Sequence, residues 1–130
     1  MGMYTELIFG AELKIDTPEL VINSLKYMIG ETETKPEGFP LPEGRYEWLF
    51  QGSSYYFGVT ESIKRMWLDD IDNQYHISTR SNIKNYKDEI ETFLKWIEPF
   101  VESGSGNRDM YAIVIYEDSP EPKIYYKYED

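Results

Sequence analysis

Cysteine is absent from the chain. That excludes disulfides and every thiolate-based metal site. Positive charge is scarce: 13 Lys and Arg stand against 24 Asp and Glu, a formal net charge of −11. Nucleic-acid affinity rests on neutralising phosphates with Lys and Arg, so no direct nucleic-acid binding is expected. The same deficit disfavours anionic membrane surfaces. Long apolar runs are missing too; no stretch approaches the roughly 20 residues of a membrane span. The opening MGMYTELIFGAELKID lacks the basic and apolar regions of a secretory signal. Glu6 stands where a myristoylation motif carries Ser or Thr. The expectation is a soluble, cytoplasmic protein.

What the chain does have is enough for a core. Its 130 residues fit one domain, 1–130. Aromatic residues make up 16% of it, whereas disordered chains are poor in them. Residues 3–14 alternate, with Met3, Thr5, Leu7, Phe9, Ala11 and Leu13 on one side, as in a half-buried strand. Gly10 interrupts that run and suggests a bulge or a close packing contact. Asp16-Thr17-Pro18-Glu19 opens a helix, with Thr17 as cap and Pro18 at its first position. Val21, Leu25, Met28 and Ile29 share one helical face, and Gly30 closes it. Residues 31–44 hold three prolines and two glycines and read as an acidic, mobile loop, with Phe39 and Leu41 tucked onto the body.

Four strand-like runs follow: RYEWLFQ, SYYFGV, KRMWLD and QYHISTRS, separated by turn residues. A second helix is expected over 87–102, from Ile90, Phe93, Leu94, Ile97 and Val101, with Pro99 shortening its last turn. MYAIVIY reads as a buried inner strand and KIYYKY as an edge strand. The order β-α-β-β-β-β-α-β-β predicts an α+β fold, a mostly antiparallel sheet with two helices packed on one face.

Motifs for chemistry are sparse. His76 is the one histidine, and no nucleophile elbow accompanies it. An enzyme would require a pocket beside it. Asp69, Asp70, Asp72 and Asn73 invite a calcium loop. Counted from Asp70, however, Tyr75 falls where that loop needs Gly and Ser81 where it needs Glu. A solvated hairpin turn is expected instead, with no metal and no cofactor. SGSGNR, 103–108, has the composition of a phosphate-cradling loop but precedes a strand, not a helix.

The segment from Tyr75 to Lys87 inverts the sign of the chain. It carries His76, Arg80, Lys84 and Lys87 and no acid. Arg80, Asn82, Lys84, Tyr86 and, from the SGSGNR loop, Arg108 form a candidate site for a nucleotide-like anion. The competing expectation is that these cations pair with carboxylates on neighbouring elements. Tyrosine is in excess, 12 in all. Tyr55-Tyr56 and Tyr125-Tyr126 place neighbours on opposite sheet faces, and Tyr55 and Tyr125 are candidate partner contacts. The KIYYKY edge also offers a route to a homodimer.

YTELIFGAELK, STRSNIKNY (78–86) and GSGNRDMYAIV resemble small uncharacterised phage and prophage proteins of Gram-positive bacteria, over most of the chain. The resemblance carries no functional motif, so no residue role comes with it. It implies a context: such accessory proteins act by binding host proteins, as inhibitors or as acidic occupants of basic channels. The function expected is therefore a non-enzymatic binding protein that engages a host protein, possessing a basic surface, through an acidic or Tyr-rich surface. The alternatives are an anion-binding module and, last, a small enzyme.

Overall fold

The computed structural model describes residues 4–44, 46–52, 58, 65–85, 88–102, 110–119 and 121–127. Among these residues five strands form one antiparallel sheet: β1 (Tyr4–Glu12), β2 (Arg65–Asp69), β3 (Gln74–Lys84), β4 (Met110–Tyr116) and β5 (Lys123–Tyr126). Two helices, α1 (Glu19–Ile29) and α2 (Glu89–Ile97), complete the α+β fold in the order expected of strands and helices. The spatial order is β2-β3-β1-β4-β5, so β1 lies at the centre and the KIYYKY strand at an edge.

Alternation along β1 sorts its side chains. Leu7, Phe9 and Leu13 join one core cluster with Val21, Leu25 and Met28 of α1 and Ile90, Phe93, Leu94 and Ile97 of α2. Phe93 meets Phe9 edge-on at 5.1 Å and Phe50 at 5.5 Å, a favoured aromatic geometry. From β3 the same face takes Ile77, Thr79, Ser81 and Ile83, and from β4 Ala112 and Val114. Both helices therefore cover one face of the sheet. The opposite face carries Tyr4, Glu6, Ile8, Gly10 and Glu12 from β1. These stand beside Lys84, Asn82, Arg80, Ser78 and His76 from β3.

Three local expectations are corrected. Tyr46–Phe50, within RYEWLFQ, is a 3-10 helix and not a strand. Tyr46, Leu49 and Phe50 are its buried residues, at helical spacing, and they seal the core beneath α1 and α2. Thr17 does not cap α1; its hydroxyl donates to the Lys14 carbonyl, and Pro18 occupies the capping position. Gly10 makes no bulge, for β1 and β3 stay in register through it. The irregularity lies between Met110 and Ala112, opposite β5. SYYFGV falls almost wholly outside the described residues.

Other features follow the sequence. Gly30 ends α1 at φ 94°, in the left-handed region, with its N–H donating to the last-turn carbonyls of Lys26 and Tyr27. The second helix, expected over 87–102, is shorter: Pro99 stops α2, which gives way to a short 3-10 turn, Glu98–Phe100, and Val101 is extended and bridges to Leu13 instead of continuing the helical face. Phe39 packs edge-on against Tyr27 at 5.9 Å and Leu41 is buried, so the acidic loop is pinned to α1.

Candidate functional site

The basic strand resolves into two neighbourhoods on the helix-free face. Arg80, Asn82 and Lys84 alternate along β3 and therefore point to the same side. Arg80 Nε lies 3.8 Å from Glu6 Oε2 across the β1–β3 pair. Glu6 is completely buried, so this guanidinium compensates an interior carboxylate. The expected pairing of these cations with neighbouring carboxylates thus holds at Arg80. Four residues on, Lys84 sits over the Tyr4 ring at 5.6 Å. Asn82 and Lys84 line a pocket of about 370 Å³ with Tyr4, Trp48 and Gln51. Tyr86, Tyr55 and Arg108 lie outside the described residues.

Tyr125 faces the helix side and is half-buried, its ring 6.0 Å from Tyr111. Lys123 covers it at 5.0 Å. Its neighbour Tyr126 is the exposed one of the pair, beside Met110 on β4.

The second neighbourhood surrounds His76. Its ring stacks on Trp67 of β2, with centroids 5.4 Å apart and planes 14° from parallel. His76 and Trp67 are paired across β2–β3, and Glu12 pairs with His76 from the other side. The turn joining β2 to β3 is built by its aspartates. Asp69 accepts from the Ile71 N–H at 2.8 Å, Asp72 from the Gln74 N–H at 3.1 Å, and Asn73 takes φ 58°. The sequence reading of a hairpin turn therefore holds, but the turn also bends carboxylates toward the imidazole. His76 Nε2 stands 3.7 Å from Asp69 Oδ2 and 3.8 Å from Asp72 Oδ2.

Donor atoms of Glu12, Asp72 and His76 all lie within 4.8 Å of one another, the one such group among the described residues. Beside them opens a pocket of about 300 Å³, lined by Gly10, Glu12, Trp67, His76, Glu102 and Tyr111, among others. Gly10 matters here: without a side chain it leaves open the floor shared by this pocket and a smaller apolar one beside Ile8, Met110 and Ile113. Sequence spacing exposed the Asp–His half of the group, but Glu12 comes from a distant strand. Only the β1–β3 register brings it in.

No protein-family model matches the chain, and neither the curated proteins nor the solved structures give a match. No helix of the described residues is long and apolar enough to cross a membrane.

Proposed function

We propose that the protein is a non-enzymatic binding protein, of phage type, that engages a host protein through its acidic surface. One observation carries this. Glu31, Glu33, Glu37 and Glu43 are all exposed on a loop whose apolar residues, Phe39 and Leu41, are anchored to the body, and Glu47 is exposed on the 3-10 helix that follows. An anchored loop presents its charge without the ordering cost of a free tail. The partner that fits is a protein with a basic surface, because complementary fields speed encounter and fix orientation. Tyr126, Met110 and Ile124, each exposed at the β5 edge, supply a second, apolar contact region of the kind protein interfaces use.

Affinity capture from a Gram-positive host lysate tests the proposal. A basic protein should be retained at low salt and released steeply as salt rises. A Glu33→Lys, Glu37→Lys double variant with unchanged circular dichroism should bind it at least about tenfold more weakly. Capture indifferent to both salt and the charge reversal would overturn the proposal. The pocket at Asn82 and Lys84 supports a second reading, an anion-binding module, which a melting-temperature rise with nucleotides and none with host proteins would favour.

A further inference from the structure

We infer that Glu12, Asp72 and His76 form a binding site for a divalent transition-metal ion, of the zinc type, at the mouth of the pocket beside Trp67. The site is independent of the acidic loop and goes beyond the binding role proposed above.

Geometry is the first support. Ligands sharing one ion at roughly 2.0–2.2 Å stand about 3 to 4.4 Å apart. The 3.8 Å between His76 Nε2 and Asp72 Oδ2 falls inside that range, while direct hydrogen bonds of this type run to only about 3.2 Å. The three donor atoms, all within 4.8 Å of one another, need only small side-chain adjustments to converge.

The state of the imidazole is the second. His76 Nε2 is shielded from solvent, yet among the described residues it has no hydrogen-bond partner. A buried polar atom left without one is costly and calls for a ligand. A metal ion would satisfy it, and the approach of two carboxylates supplies the compensating negative charge.

Preorganisation is the third. Trp67 holds the ring plane by stacking. The Gln74 N–H holds Asp72 through its other oxygen at 3.1 Å. Gln74 in turn donates its amide to the Leu13 carbonyl at 3.2 Å, and the Leu13 N–H donates to Tyr75 O at 2.8 Å. These bonds fix the hairpin turn to the end of β1, where Glu12 sits. Such outer contacts orient metal ligands in proteins generally.

The donor set selects the ion. One imidazole with two carboxylates suits zinc, cobalt, nickel or manganese better than calcium or magnesium, which take oxygen ligands alone. Three protein ligands leave at least one position for water or an exogenous donor. That position would open toward the pocket, because Glu12 and His76 both line it.

Calorimetric titration of the untagged full chain with zinc chloride tests the site. One zinc per chain is expected, with excess magnesium unable to displace it. His76→Gln and Glu12→Gln should each raise Kd at least about tenfold. Cobalt should give a visible ligand-field band that disappears in His76→Gln. Asp70→Asn, an exposed carboxylate on the same turn but outside the group, should change nothing. Should His76→Gln misfold by circular dichroism, the half-exposed Glu12→Gln carries the comparison. No zinc binding by the native chain, binding unaltered by both substitutions, or equal weakening by Asp70→Asn would each overturn the inference.

Discussion

Glu6 and Arg80 illustrate how little a residue's type says about its task. In the sequence Arg80 belongs to a basic segment and invites an anion. In the fold it lies 3.8 Å from a carboxylate with no exposure at all. Removing one member of a buried pair strands the other, at a cost of about 3–5 kcal/mol. Arg80→Ala should therefore destabilise the protein by that amount, read from urea unfolding. Lys84→Ala, which loses a partly exposed cation–π contact, should cost no more than about 1 kcal/mol. Equal effects would mean that Arg80 is not the charge that keeps Glu6 folded. The alternation of β1 announced that Glu6 faces away from the helices. Nothing local announced that it would be buried there, because burial depends on what a distant strand places beside it.

Among the elements, periodicity was a sound guide where it ran long and a poor one where it ran short. Both helices were legible from apolar residues three and four apart, β1 from alternation, and β3 from a strand-like run following a turn. The YEWLF run misled because its aromatic content favours strands. Its buried residues, Tyr46, Leu49 and Phe50, do show helical spacing, which was the available signal. Links between elements were not legible. The Tyr116 hydroxyl donates to Glu91 Oε2 at 2.6 Å and ties β4 to α2, while the Asn85 side-chain amide donates to the other oxygen at 2.6 Å. Burial raises the Tyr116 pKa above its usual 10.0, and the hydrogen bond and negative charge of Glu91 raise it further. The folded state thus keeps a proton that the unfolded chain releases above pH 10.0. Stability from this group is complete below that pH and falls as pH rises beyond it. Urea midpoints measured from about pH 8 to about pH 11 should decline only in the upper part of that range. Tyr116→Phe should make the decline shallower without abolishing it, because burial also raises Tyr46 and Tyr111.

At the scale of the whole molecule, the net charge of −11 acts on the fold itself. Like charges crowded onto one compact body repel, and salt screens them. Raising ionic strength from about 0.01 M to about 0.15 M shortens the screening length from roughly 30 Å to roughly 8 Å. The melting temperature should rise by a few degrees over that interval, as followed by circular dichroism. A fall would show that attractive surface pairs outweigh the general repulsion. Composition made this legible from the start; the anchoring of the acidic loop by Phe39 and Leu41 was also foreseeable, since both are apolar residues in a polar tract. The Glu12–Asp72–His76 group was not, because it exists only through strand register. The central place of β1 has a further consequence, for the history of the molecule and not its finished form. Thr5 ends beside Ile83 on one flank and Tyr116 on the other. While the chain is being synthesised, β1 must wait with both edges open until β3, and then β4, has left the ribosome. Contacts so far apart in sequence make folding slow. The newborn chain is thus exposed to mispairing from the emergence of β1 until β4 has followed it, and its yield in a cell should follow chaperone supply more closely than the finished protein's stability.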